Sequence, residues 1–246
     1  HRSIRRQRQM CIRDRLSNMA SANISRIYQA TGYNNTCITA CAASTQAIGE
    51  ALEKMRSNKA DIMITGGAES GICEIGMGGF STMHALTTWD GDPSKASRPF
   101  DSNRDGFAPA EGSGILILET EEHALKRGAK PLAEIAGFGV TSDAFHLVQP
   151  HKEGLGATKA MKMAIEDAGL DIKDIDYINA HGTSTPTNDR IETMAIMKSQ
   201  FLPPNLWWDI LWVHLVHLKL LHAFRVLLMM KYIPQLISKT QTPSVT

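Results

Sequence analysis

The sequence predicts an α/β fold in which helices cover a mostly buried sheet, and three observations predict it. Short apolar runs at residues 61–65, 114–119, 131–140 and 176–180 read as strands. Apolar residues recur at helical spacing over residues 16–31, 42–54 and 155–168. The two kinds of segment alternate along the chain, as they do where helices pack on a central sheet.

Taken in order, residues 1–15 come first, with six arginines and no apolar periodicity. They read as a disordered basic arm or, because the string from Gln7 to Arg15 looks like a translated sequencing adapter, as an artefact. Residues 16–31 form a helix carrying Met19, Ile24, Ile27 and Tyr28, with Gly32 as its stop. Residues 35–39 form a short strand, and a tight turn bearing Cys41 then opens a helix with Ile48, Leu52 and Met55 among small alanines. Residues 61–65 are a buried strand ending in a tight turn at Gly66–Gly67. Residues 76–79 are a glycine-rich loop before Phe80 that matches neither a dinucleotide nor a P-loop pattern. Residues 98–107 are a polar loop whose charges pair to hold it. Another buried strand follows at residues 114–119, then a short helix ended by Gly128, then a strand region at residues 131–140. The helix at residues 155–168 sets Ala157, Met161, Ala164, Ile165 and Ala168 on one face and stops at Gly169. After the strand at residues 176–180, His181 opens a loop, and Thr187 caps a last helix with Ile191, Met194 and Ala195.

The totals exclude several functions. A chain of 246 residues holds one large domain or two small ones, and its net charge of +1 gives no global nucleic-acid signal. Cys11, Cys37, Cys41 and Cys73 form no Cys-x-x-Cys pair and no Cys/His cluster with zinc spacing. No metal or cofactor is therefore expected, and reduced thiols fit a cytoplasmic protein. The basic start is not followed by the apolar region of a secretory signal.

Two stretches carry chemistry. Cys41 lies at the first turn of a helix, where unpaired N–H groups and the helix dipole favour a thiolate, and thiolates attack carbonyl carbons. A small buried hydrophobe is the alternative for the same residue. His181 stands at the C-terminal end of a strand, followed by Gly182, Thr183, Ser184, Thr185 and Pro186. Active sites in α/β folds favour such ends, and the hydroxyls suit a polar ligand, although a lone histidine there is more often structural.

Together these stretches, with Gly66-Gly67-Ala68-Glu69, Ser97-Arg98-Pro99-Phe100-Asp101, Arg104-Asp105-Gly106-Phe107, Lys126-Arg127-Gly128-Ala129 and Ser142-Asp143-Ala144-Phe145-His146, resemble a β-ketoacyl-[acyl-carrier-protein] synthase of the elongating class. The resemblance covers residues 16 to about 198. It implies a thiolase-like layered α-β-α-β-α fold, incomplete in this chain, and a homodimer. Residues 16–130 would be the end of the N-terminal half with the nucleophile, residues 131–200 the start of the C-terminal half, and residues 201–246 a tail foreign to the family.

The implied reaction is a decarboxylative Claisen condensation. Cys41 would accept an acyl chain from acyl carrier protein, and malonyl carrier protein would supply the attacking carbanion. His181 would be one of two histidines that hydrogen-bond the malonyl thioester oxygen. Thr183 and Thr185 would hold the phosphopantetheine arm, Phe80 would line the acyl pocket, and the Cys41 N–H would form half of an oxyanion hole. No cofactor is implied, and neither a nucleic acid nor a membrane is an expected partner. A polyketide ketosynthase and a non-catalytic truncated partner of a full-length synthase are the alternatives.

The family's Lys-Ser-Met-x-Gly-His string and late Gly-Phe-Gly-Gly loop do not occur in this sequence. Residues 206–230 are apolar but carry Asp209, Lys219 and Arg225, which argues against a spanning helix and leaves an interfacial helix open. Reading the codons one nucleotide earlier gives a better account. Trp207-Trp208-Asp209 then forces Val-Gly followed by His or Tyr, and Met229-Met230-Lys231 forces Asp-Glu. With suitable third bases, residues 201–210 become Ser-Ser-Thr-Lys-Ser-Met-Val-Gly-His. A frameshift near residues 199–201 is therefore expected, and the chain as written is expected to be inactive in the full reaction.

Overall fold

The computed structural model describes residues 16–199 and the backbone of residues 225–232. The expectations for residues 1–15 and for most of the tail lie outside the described residues. The elements run α1 (Met19–Tyr28), α2 (Ala43–Arg56), β1 (Ile62–Glu69), α3 (Glu74–Thr82), β2 (Gly112–Glu119), α4 (Glu121–Lys126), β3 (Ala133–Thr141), α5 (Leu155–Asp167), α6 (Pro186–Lys198) and β4 (Arg225–Tyr232).

The strands make two antiparallel pairs. β1 lies beside β2, from Ile62 opposite Glu119 to Glu69 opposite Gly112. β3 lies beside β4, from Ala133 opposite Tyr232 to Thr141 opposite Arg225, with an irregularity between Ile135 and Gly137. Side chains alternate across a strand, and that alternation sorts the layers. Gly137 and Gly139 face α5 so closely that a β-carbon on either would overlap the α5 backbone, whereas Phe138 points the other way and its ring fills the space a side chain on Gly49 of α2 would need. On β1, Gly67 lies against Ser44 at the start of α2. The order is thus α5, β3–β4, α2, β1–β2, which is four of the five layers of an α-β-α-β-α stack. The outer face of β1–β2 carries Ile62, Ile115 and Ile117 exposed. Ala157, Met161 and Ala195 form a small core between α5 and α6, with Ile196 packed against it.

Several local expectations are corrected. Gly66–Gly67 is no turn: β1 runs through it, because glycine is what allows the close approach to Ser44 and to Gly114 of β2. Residues 76–79 are not loop but the middle of α3. Residues 35–39 and 176–180 form no strand, having no ladder partner among the described residues. The last helix is capped at Thr185, with Pro186 in its first turn, so Thr187 is helical. Proline suits that position because its missing N–H has no partner to lose there. The sheets are not mostly buried, since β2 is exposed along its first four residues. Residues 225–230, part of the stretch for which an interfacial helix was open, are strand. Among the described residues no helix is long and apolar enough to cross a membrane.

The far end of α2 is fastened across the layers. Arg56 donates to both carboxylate oxygens of Asp167 at 2.9 and 2.7 Å and to the Ala136 carbonyl at 2.8 Å, while Asp167 also accepts the Phe138 N–H at 2.8 Å. Burial works against the Asp167 charge, but the Arg56 hydrogen bonds, the Phe138 N–H and the Arg56 charge outweigh it and hold the carboxyl below its ordinary value. A lowered carboxylate pKa stabilises the fold above the unfolded-state value and ceases to do so as pH falls through the folded one. The stability difference between the unsubstituted chain and Asp167→Asn is therefore expected to shrink as urea unfolding is repeated from pH ~6 down to pH ~3.

Candidate active site

Cys41 sits in a one-turn 3-10 helix, Ala40–Ala42, that leads into α2. The turn is closed by Ala42 N–H donating to the Thr39 carbonyl at 3.1 Å. Ala40 has φ +47°, in the left-handed region that a residue with a β-carbon enters at a cost of about 1–2 kcal/mol. Such strain persists only where surrounding structure holds it.

The expectation of a thiolate is corrected. Burial raises the Cys41 pKa, and the nearby Glu69 carboxylate at the end of β1 raises it further. The α2 dipole favours the anion, but desolvation and a like charge win, so the resting group is a thiol. Cys37 is likewise pushed up to about 11, by burial first and then by the charge and hydrogen bond of Glu50. Alkylation follows the thiolate fraction. Iodoacetamide at pH ~8 is therefore expected to label exposed Cys73 well before Cys37 and Cys41, with the Cys37 rate still climbing at pH ~10.

The His181 loop is built around two carboxylates of α6. Glu192 accepts the backbone N–H of His181 at 2.7 Å and that of Gly182 at 2.8 Å. Asp189, 1% exposed, accepts the Phe100 N–H at 2.8 Å and lies 3.5 Å from Arg104 Nε. Asn188 lies between them, its Nδ2 donating to Asp189 Oδ1 at 3.1 Å and to Glu192 Oε2 at 3.3 Å. Ser184 is fully buried at φ +65°, its hydroxyl accepting the Arg98 N–H at 3.1 Å and its carbonyl accepting the Gly106 N–H at 3.1 Å. The Thr183 and Thr185 hydroxyls share a hydrogen bond of 2.8 Å.

The loop at residues 98–107 is therefore the bracket that seats His181, and its charges do pair. Arg98 bonds Asp105 at 2.8 Å and stacks over Trp89 at 4.5 Å. Arg104 donates to the carbonyls of Thr185 at 3.2 Å and Pro186 at 2.9 Å. Phe107, at the end of the bracket, meets the Phe80 ring edge-on at 5.1 Å. The structure thus links Phe80, His181, Thr183 and Thr185 through one loop. Cys41 heads α2 and lies near Glu69 at the end of β1. Glu192 was not singled out from the sequence, whereas Ser184, Arg98 and Arg104 were named there only as members of longer strings. The spacing of Asn188 and Glu192, one helical turn apart, is the signal that could have found Glu192. Among the described residues no group of three or more His, Cys, Asp or Glu side chains is placed to hold a metal.

A cysteine on a strained turn at the head of a central helix, within alternating helix and sheet layers, defines a thiolase-like protein. Residues 1–124 match the β-ketoacyl synthase N-terminal domain and residues 132–202 the β-ketoacyl synthase C-terminal domain, so the chain belongs to the β-ketoacyl synthase family. It is 47% identical over 182 residues to the mitochondrial 3-oxoacyl-[acyl-carrier-protein] synthase of Arabidopsis thaliana, a match covering 74% of this chain and 40% of that protein. It is 48% identical over 183 residues to 3-oxoacyl-[acyl-carrier-protein] synthase 2 of Rhizobium meliloti, covering 74% and 43%. Among solved structures it resembles a type II polyketide ketosynthase in complex with its acyl-carrier protein, with a TM-score of 0.72, 37% identity and coverage of 74% and 45%. A β-ketoacyl synthase from Burkholderia phymatum gives a TM-score of 0.71, 39% identity and coverage of 75% and 44%. The chain spans less than half the length of each of these relatives.

Proposed function

We propose that the chain is part of a fatty-acid elongating condensing enzyme, in which Cys41 takes an acyl group from acyl carrier protein. The observation that carries the reading is Cys41 on its strained turn at the head of α2, in a chain of this family. In the transfer, the Cys41 sulfur bonds the acyl carbonyl carbon as the bond to the pantetheine sulfur breaks. The proton leaves the Cys41 thiol and ends on the departing pantetheine sulfur. Substrate docking completes the desolvation around a thiol that is already neutral, so no buried anion has to be maintained while the site waits. Thr183 and Thr185 would hold the pantetheine arm, Phe80 would border the acyl chain, and His181 would donate to the malonyl thioester oxygen of the second substrate.

Acyl carrier protein is the proposed partner, the intact enzyme a homodimer, and the cytoplasm its place. The similar solved ketosynthase described with its acyl-carrier protein supports the choice of partner. The 246-residue sequence has no Lys-Ser-Met-x-Gly-His string, so we expect acyl loading without the subsequent condensation. A polyketide ketosynthase is the second reading, favoured by the nature of that same solved neighbour. The test has two arms. The gene is resequenced across codons 195–210, where an indel restoring Lys-Ser-Met-Val-Gly-His makes the tail a product of the wrong frame. The restored protein is then given acyl and malonyl carrier proteins, and formation of 3-oxoacyl product supports the reading. A restored protein that binds carrier protein but forms no product contradicts it in favour of a non-catalytic partner.

A further inference from the structure

The turn that carries Cys41 is strained, and its two sides must be held. On the outgoing side α2 does this through its own hydrogen bonds. The incoming segment, residues 35–39, has no strand beside it among the described residues and needs another anchor. Its side chains give two. Thr36 shares a hydrogen bond with Ser21 of α1 at 2.9 Å. Asn35 Nδ2 donates to Glu50 Oε2 at 3.1 Å, and the same carboxylate is near enough to Cys37 to raise its pKa. Glu50 stands about two turns into α2, the helix that Cys41 heads, and Gln46 one turn earlier donates to its other oxygen at 2.9 Å. The ring of contacts is therefore closed: incoming segment, Ala40, Cys41, α2, Glu50 and back to the incoming segment. Ser21 lies on a different helix and closes no such ring.

We infer that Glu50 is the positioning residue of the nucleophile turn, its carboxylate strapping residues 35–37 to α2 and so holding Ala40 in the conformation that presents Cys41. The consequence for catalysis depends on the acyl-transfer reading, but the strap itself can be tested by thiol chemistry that needs no acyl donor. Glutamine at position 50 keeps one acceptor oxygen for Asn35 while removing the charge and the second acceptor, the one that takes the Gln46 amide. Alanine removes both acceptors. Releasing the strap lets the turn relax toward solvent, which brings the half-buried thiol nearer to ordinary reactivity.

The test alkylates the full 246-residue chain and its Glu50→Ala, Glu50→Gln and Asn35→Ala variants with iodoacetamide from pH ~7 to ~11 and reads each cysteine by peptide mass. Glu50→Ala is expected to speed Cys41 labelling at pH ~8 about tenfold, and Asn35→Ala to speed it by a smaller factor. Glu50→Gln is expected to leave Cys41 within about twofold while speeding Cys37, which loses the neighbouring charge. Cys73, exposed in the parent, keeps its rate throughout. A Cys41 rate that is unmoved by Glu50→Ala, or moved as far by Glu50→Gln as by Glu50→Ala, overturns the inference. If the alkylation pattern holds but the unsubstituted chain takes no acyl group at Cys41, the strap stands and the acyl-transfer reading falls.

Discussion

Cys41→Ser is expected to abolish acyl loading, lowering the rate of covalent transfer from an acyl thioester by at least about a thousandfold. The substitution is nearly isosteric, and Cys41 is only half-buried, so the turn should keep its shape. What changes is the nucleophile. Burial and the Glu69 carboxylate already hold the thiol protonated, and they bear more heavily on a hydroxyl, whose intrinsic acidity is far lower. The thiol exchanges one thioester for another, whereas the serine hydroxyl is a weaker nucleophile with no base shown beside it to take its proton. Intact mass after exposure to acyl thioester, with urea unfolding as the control for folding, checks the result. An adduct on the serine variant at the parent's rate would place the acyl group on another side chain.

Asp189→Ala is expected to cost about 3–5 kcal/mol of stability, the range for leaving one member of a buried charged pair behind. Asp189 is 1% exposed and joins three elements of the site: the Phe100 N–H, the Arg104 guanidinium and the Asn188 amide. Without it the Phe100 N–H loses its acceptor in the interior and Arg104 loses its counter-charge. Asp189→Asn keeps one acceptor and should cost less. Because a whole domain is commonly stable by only about 5–15 kcal/mol, the alanine variant should show a large fall in urea midpoint. It should also release the bracket loop, seen as faster hydrogen exchange at residues 98–107 and 181–185. A midpoint unchanged from the parent would mean that the buried carboxylate is not holding the site.

Local sequence signals were legible where packing agrees with periodicity. In α5 Ala157, Met161, Ala164 and Ile165 are buried as their spacing requires, with Gly156 and Ala160 beside them, while Ala168 just past the helix is half-buried and Gly169 ends the pattern. They failed where a distant contact overrides a local preference. Gly66 and Gly67 read as a turn because glycine usually breaks strands, yet Ser44 and Gly114 come so close that only glycine fits. Of the α3 glycines only Gly76 is explained in that way, by the Gly71 carbonyl; Gly78 and Gly79 have open space where a β-carbon would stand. Residues 35–39 and 176–180 have strand composition but no partner strand, and a strand is defined by its neighbour as much as by its own residues. Of the proposed site residues, Cys41 and His181 draw notice in the sequence because their chemistry marks them. Their supports, Glu50 and Glu192, do not, since a glutamate on a helix ordinarily faces solvent and only the fold shows what it accepts. The ionisation of Cys41 was misread for a related reason: the helix start is legible in sequence, while burial and the approach of Glu69 are not.

The central claim, that Cys41 is an acyl acceptor, is tested most directly by incubating the unsubstituted chain with an acyl carrier protein thioester and mapping any adduct by peptide mass. The account predicts a single acyl group, removable by hydroxylamine, on the peptide that contains Cys41. An adduct on Cys73 instead, or no adduct on a chain that urea unfolding shows to be folded, would contradict it.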